Sequence, residues 1–268
     1  MENRKKALVT GSGRGVGYGI ATELILAGYD VVLHYNSSDA GAKELQAFGK
    51  EQGVECVPFQ ADLRQTSEVR RMFRWVDENW GGLDLFVNNS GITRMSDVLA
   101  PNEEMFDDVF QTNLKGAYFC VSEAGNNMVK HGKKGTIAII GSNHQACVWE
   151  NNSVYAMFKL ALSKFTQHAA IEMAKHGIRV NLVAPGFVDN ENPVPEDRKE
   201  EWAARRKEIE RTLIPMHRFI HRREVGKVIL FLASPAAASI TGITMICDGG
   251  AHLLHCDPAR HKYWEVEE

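Results

Sequence analysis

Short, almost continuously apolar runs recur along the chain, separated by longer stretches in which apolar residues return every three or four positions. The runs are ALVTG (7–11), DVVLHY (30–35), VECVPFQAD (54–62), LDLFVNN (83–89), GTIAIIGS (135–142), IRVNLVAPG (178–186) and GITMICDGG (242–250). Apolar at successive positions, they read as strands buried on both faces, which is the habit of parallel sheets. The stretches GVGYGIATELILAG (15–28), DAGAKELQAFGKEQG (39–53) and SEVRRMFRWVDENWG (67–81), and a long segment after Asn151, read as helices. Gly28, Gly53 and Gly177 stand where helices end, as helix-stop chemistry requires. Strand alternating with helix predicts right-handed βαβ units and a doubly wound α/β fold of about seven parallel strands, with helices on both faces.

A length of 268 residues suits one hydrophobic core, so 1–268 is expected to be a single domain. The rhythm breaks once. From Phe187 to about Arg211 the chain reads FVDNENPVPEDRKEEWAARRKEIER, too charged for core and too long for a simple connector. A lid-like insertion at about 187–214 is expected there, with a polar helix after Pro193 and Pro195, and a C-terminal tail at about 250–268. A formal charge of −3 offers no field to recruit nucleic acid or an anionic membrane. No apolar run approaches the ~20 residues of a membrane span. The opening MENRKK is not a secretory leader, and five scattered cysteines without a C-x-x-C read as reduced thiols. A cytoplasmic protein with a small-molecule partner is the expectation.

The chemistry begins at VTGSGRGVGYG, which follows the first strand and opens a helix, the context in which a glycine-rich match means phosphate binding. Gly11 and Gly15 permit a tight turn and close backbone approach, Gly17 lets the helix pack, and the helix N-terminus offers N–H groups to a pyrophosphate. Further on, Tyr155 and Lys159 stand four apart, one turn along a shared helix face. Between and beyond lie NNSG (88–91), Asn113 in QTNLKG, Ser142 thirteen residues before Tyr155, APG (184–186) and DGG (248–250). With the T-G-x-x-x-G-x-G pattern from Thr10, these ordered matches over about 250 residues resemble the short-chain dehydrogenase/reductase superfamily. SNHQACVWENN (142–152) and IPMHRFIHRREVGKVILFLAS (214–234) look similar to its glucose 1-dehydrogenase-like branch. The 3-oxoacyl-carrier-protein reductase branch shares much of the pattern.

The resemblance implies a Rossmann-like fold and an oxidoreductase acting on CH–OH groups, with Asn113, Ser142, Tyr155 and Lys159 as catalytic residues. It implies cofactor contacts from Gly11, Ser12, Gly13, Arg14, Gly15, Val16 and Gly17, and from Tyr35, Asn36 and Ser37. Asp62 and Leu63 would meet the adenine; Asn89, Ser90, Gly91, Tyr155, Lys159, Pro185, Gly186 and Val188 complete the set. Lys159 would also hold the nicotinamide ribose, Asn113 a relay water, and the segment after Gly186 would cover the site. A homotetramer is implied as well. Ser90 departs mildly from the family's alanine, and Asn190 stands where relatives often carry a threonine for the carboxamide.

A secondary alcohol releases hydride only if its hydroxyl proton also leaves, so the protein must supply a base, or an acid for reduction. A free phenol titrates near ~10, and a neighbouring ammonium favours the phenolate. Ser142 would hold the substrate oxygen. NAD sites usually place a carboxylate at the end of the second strand; here His34, Tyr35 and Asn36 stand there, Asp39 starts the next helix, and Arg14 can attract a 2′-phosphate. NADP(H) is therefore favoured, with NAD(H) as the competitor. Around Ser142, His144 and Trp149 are candidate substrate contacts, among polar neighbours that suit a small sugar or polyol-like ring. A 3-oxoacyl thioester, a steroid or another hydrophobic ketone is the alternative, and a non-catalytic nucleotide-binding regulator is the alternative of another class. His217, His221, His252, His255 and His261 lack the ligand spacing of a zinc site, so no metal is expected.

Overall fold

A computed structural model of the protein describes residues 4–191 and 194–254. The central sheet is built from β1 (Lys6–Val9), β2 (Asp30–Tyr35), β3 (Cys56–Gln60), β4 (Leu85–Asn88), β5 (Thr136–Ile140), β6 (Arg179–Pro185) and β9 (Thr244–Cys247). All pairings are parallel, in the order β3-β2-β1-β4-β5-β6-β9. Its seven strands are those expected from the seven apolar runs. The helices are α1 (Gly15–Leu26), α2 (Ala40–Glu51), α3 (Thr66–Asn79), α4 (Glu103–Val109), α5 (Ala117–Lys130), α6 (Ser153–Ala174), α7 (Lys199–Leu213), α8 (Arg222–Ala233) and the short α9 (Ala251–Leu254).

Side chains alternate across the sheet, and both faces are covered. Leu8, Phe86, Ile137 and Ile139 pack with Val69 and Met72 of α3, Cys120 and Val121 of α5, and Leu162 of α6. Ala7, Val9, Leu85, Val87 and Ala138 point the other way, onto Ile20 and Leu24 of α1, Leu45 of α2, and Val225 and Ile229 of α8. This double burial explains why the strands are apolar at every position. Trp80 closes α3 and is buried in the first cluster, with Trp75 packed against it. Helices α1 and α8 cross so closely that a Cβ on Gly19 would lie 2.6 Å from the carbonyl carbon of Arg222.

Two features lay outside the sequence reading. Val188–Asp189 (β7) and Ile220–His221 (β8) form a two-residue parallel pair apart from the main sheet. Phe110–Gly116, between α4 and α5, is a π-helical segment. The charged helix expected after Pro195 is present as α7, and no residue of it is buried. Among the described residues no helix is long and apolar enough to cross a membrane. His255, Cys256, His261 and the tail beyond Leu254 lie outside the described residues.

Candidate active site

Crossovers depart in opposite directions from β1 and β4, so a crevice opens at the C-terminal ends of the strands between them. A cavity of about 940 Å³ fills it. The glycine-rich loop forms one wall, through Gly11, Gly13, Arg14, Gly15 and Val16. Gly11 adopts φ +66°, and a Cβ there would crowd Ser90 and Asn89. Gly17 lies beneath it; a Cβ would fall 2.2 Å from the Gly11 carbonyl oxygen, so only glycine lets α1 start this close to the loop. Thr10 and Asn89 fasten loop to β4: Thr10 Oγ1 accepts from the N–H groups of Asn89 and Ser90, and Asn89 Nδ2 donates to the Thr10 carbonyl. Ser12 is fully buried, with its hydroxyl donating to the His34 carbonyl.

The end of the cavity beside β2 is lined by Tyr35, Asn36, Ser37 and Ser38. Asp39 instead pairs with Lys43 at the start of α2. No carboxylate lines the cavity among the described residues, whereas Arg14 and Lys159 do. Asp62 and Leu63 follow β3, outside this lining. The Asp62 carboxylate accepts from the Arg64 guanidinium at 2.8–3.1 Å, and these bonds hold it below the ordinary carboxylate range.

At the opposite end Ser142, Tyr155, Lys159, Pro185, Gly186 and Val188 line the cavity, with Asn89, Ser90 and Gly91 between the ends. Strand β5 delivers Ser142 and the first turn of α6 delivers Tyr155. Lys159 is 4% exposed; its Nζ donates to the Ile140 carbonyl at 2.7 Å and sits 5.6 Å from the Tyr155 ring centroid. Asn113 is buried in the π-helical turn, and both ends of its amide face one residue. Oδ1 accepts from the Ile92 N–H and Nδ2 donates to the Ile92 carbonyl, each at 2.8 Å. Asp248 of the DGG turn accepts from the Gly250 and His252 N–H groups and, at 3.4 Å, from Asn143 beside Ser142.

From Tyr155 a row of rings runs outward. His144 meets Tyr155 edge-on at 5.1 Å, with Trp149 at 6.1 Å; Trp149 meets Phe187 at 5.4 Å, and Phe187 stacks on Phe219 at 5.7 Å. His144 Nδ1 and Ser142 Oγ share a hydrogen bond of 2.9 Å. The Arg206 guanidinium caps Phe219 and pairs with Asp189 and Glu210, joining α7 to β7. Burial opposes the Asp189 charge, yet the Arg206 hydrogen bond holds its carboxyl below the ordinary range. A second cavity of about 660 Å³ lies under α7 and shares Gly186, Val188 and Asn190 with the first.

His217, His221 and His252 each bond to a different acceptor: the Glu210 carbonyl, Glu191 and Asp248. No group of three His, Cys, Asp or Glu side chains is placed to hold a metal ion among the described residues. Residues that line the main cavity but are missing from the sequence-derived site include His34, Ser38, Gly41, Ile92, Thr93 and Thr112. Most lack a motif; the signal for His34 was its place at the end of β2.

A phenol, an ammonium and a hydroxyl gathered beside a dinucleotide-type crevice are the equipment for hydride chemistry on an alcohol or carbonyl. The comparisons agree. A family model described as enoyl-(acyl carrier protein) reductase matches residues 11–252. The 3-oxoacyl-[acyl-carrier-protein] reductase FabG of Staphylococcus aureus is 35% identical over 255 residues, covering 94% of this chain and 100% of its own. Glucose 1-dehydrogenase 2 of Bacillus subtilis is 33% identical, covering 93% and 95%. Among solved structures, acetoin dehydrogenase YohF from Salmonella typhimurium superposes with TM-score 0.84 at 29% identity, covering 93% and 96%. A dehydrogenase/reductase from Sinorhizobium meliloti 1021 gives 0.82 at 32%, covering 92% and 94%. The chain belongs to the short-chain dehydrogenase/reductase family and is an oxidoreductase of that family.

Proposed function

We propose that the protein is an NADP(H)-dependent oxidoreductase that interconverts a secondary alcohol and a ketone, or a lactol and a lactone, on a small sugar- or polyol-like substrate. The observation that carries this reading is the convergence of Ser142, Tyr155 and Lys159 on the cavity that the glycine loop walls. The residues fit a dinucleotide: the close contacts at Gly11 and Gly17 leave backbone, not side chains, facing the phosphates. Arg14, Tyr35, Asn36 and Ser37 would hold the 2′-phosphate, in a cavity whose lining is cationic and free of carboxylates among the described residues. Lys159 would hold the nicotinamide ribose, and the backbone around Pro185, Gly186 and Val188 would meet the nicotinamide. The bound nicotinamide supplies or accepts the hydride.

The chain's own groups move the proton. In oxidation the Tyr155 oxygen takes the substrate hydroxyl proton, while the Lys159 ammonium, fixed by the Ile140 carbonyl, keeps positive charge beside the ring. Ser142 Oγ holds the substrate oxygen, with His144 as the other partner of that hydroxyl. The Asn113 side chain is committed to Ile92, so contact with a relay water falls to its backbone carbonyl. His144 and Trp149 bound the substrate, and residues 187–214 act as a lid that excludes water. The protein works in the cytoplasm as a homotetramer.

A second reading, reduction of a 3-oxoacyl thioester, draws support from the reductase among the relatives and from the part-apolar cavity under α7, lined by Phe187, Trp202, Ile209 and Phe219. A panel of sugars, polyols, hydroxysteroids and 3-oxoacyl thioesters, followed by nicotinamide absorbance with NADPH/NADP⁺ and NADH/NAD⁺, separates them. Turnover of a sugar or polyol with the phosphorylated cofactor is expected. Strong activity on a hydrophobic ketone or thioester, with none on any sugar or polyol, would overturn the favoured substrate.

A further inference from the structure

His34 occupies the last turn inward of β2 and is 2% exposed, yet the proton transfer above makes no use of it. Its ring bridges two separate segments. Nδ1 accepts from the Gly11 N–H at 3.0 Å, and Nε2 lies 3.0 Å from the Ala61 carbonyl oxygen. The partners leave no choice of tautomer: a backbone N–H requires an acceptor at Nδ1, and a carbonyl requires a donor at Nε2. The ring is therefore the neutral Nε2–H form. Burial agrees with this, pushing the imidazole down to about 4. Asp62, one residue beyond Ala61, favours the charged ring, but its carboxylate is engaged by Arg64. The other charged groups near this corner are Arg14 in the loop and the Asp39–Lys43 pair on α2. The His34 backbone joins the same clasp, its carbonyl accepting from both the N–H and the hydroxyl of Ser12.

We infer that His34 is a positioning residue for the dinucleotide: its neutral ring ties the Gly11 turn of the phosphate loop to the Ala61 carbonyl, fixing the distance between the pyrophosphate and adenine ends of the site. This rests on the cofactor reading above. A carboxylate at position 34 could accept from Gly11 but would face the Ala61 carbonyl with a second acceptor. The ring's acceptor-and-donor pair matches both partners, and it engages the Gly11 N–H, leaving the amides at the start of α1 to meet the anion. Asparagine carries an amide oxygen near the place of Nδ1 and keeps the Gly11 bond; glutamine places its polar atoms near Nε2 and loses it.

The test titrates NADPH into the wild type, His34→Asn and His34→Gln by fluorescence, with kcat measured at saturating NADPH. His34→Gln is expected to weaken NADPH about tenfold, consistent with an unpaired buried N–H, while kcat at saturation stays within about threefold. His34→Asn keeps the Gly11 bond but loses the Ala61 one, so its affinity is expected to fall between those of His34→Gln and the wild type. Equal affinity in all three proteins, wild-type affinity in either variant, or a kcat that falls as far as the affinity would overturn the role of His34. In parallel, ¹⁵N spectra of ring-labelled wild type without cofactor should show the neutral Nε2–H tautomer from neutral pH down to about 5. An Nδ1–H ring, or protonation near the ordinary histidine value, would overturn it even if His34→Gln does not fold. A wild type that binds neither NADPH nor NADH would overturn the cofactor reading instead, and this one with it.

Discussion

The proposed preference for the phosphorylated cofactor rests on Arg14. It is exposed at the N-terminal boundary of α1 and lines a cavity whose other lining cation, Lys159, sits at the far, catalytic end. A 2′-phosphate at the Tyr35–Ser37 end would therefore find Arg14 as its charged partner among the lining residues. Arg14→Ala is expected to weaken NADPH by about 1.5–3 kcal/mol and to leave NADH nearly unchanged, as measured by paired fluorescence titrations. Equal loss for both cofactors would mean that Arg14 shapes the loop. At this scale the sequence was most readable where motif spacing marks residues: Gly11, Gly15, Ser142, Tyr155 and Lys159 all come to line one cavity. It was least readable where a residue acts through packing. His34 stood out only as the absence of an acid, because its partners, Gly11 and Ala61, are brought together by the fold and not by spacing in the chain.

Elements carry a different kind of information. Period and apolar character predicted the sheet because its central strands are buried on both faces, and they predicted α7 because an insertion that packs on little stays polar along its length. The β7–β8 pair was invisible: two residues per strand hold no period. So was the π-helical turn, since its cause is tertiary. Asn113, 1% exposed, spends its amide on the backbone of Ile92, which holds the loop after β4 against the turn between α4 and α5. Asn113→Ala would leave an N–H and a carbonyl unpaired at that seam. Such a loss typically costs about 1–3 kcal/mol for each buried group, so urea denaturation should show a loss of at least about 1–3 kcal/mol along with reduced turnover. Unchanged stability would contradict the role of the Asn113 amide in holding that seam.

For the molecule as a whole, acid and association are the informative variables. His34 titrates near 6.5 when unfolded and is pushed down to about 4 when folded. Between those values the unfolded chain takes up a proton that the folded chain refuses, so stability falls as pH drops from about 6.5 to about 4 and this contribution then levels off. The shift corresponds to a contribution on the order of 3 kcal/mol. Asp62, Asp77 and Asp189, all held below the carboxylate range, lose their contributions in the same direction at lower pH. Denaturation curves across this range should therefore be flatter for His34→Asn than for the wild type; identical slopes would contradict the buried neutral ring. Association has its own surface. β9 is an edge strand, and Ile243 just before it is exposed, as are Phe231 on α8, Tyr118 on α5, and Met157, Leu160 and Ile171 on α6. A closed homotetramer would cover such faces, and light scattering at micromolar concentration should return its mass. A monomer would contradict it.

In the proposed reaction Tyr155 transfers the proton that accompanies hydride transfer. Tyr155→Phe keeps the ring beside His144 and Lys159 and removes only the hydroxyl. The most direct measurement is turnover of this variant on a substrate identified with the wild type, paired with an NADPH titration of both proteins. Turnover lowered by a factor on the order of 10² or more, with NADPH affinity nearly unchanged, is the predicted result. Near-normal turnover would contradict the account.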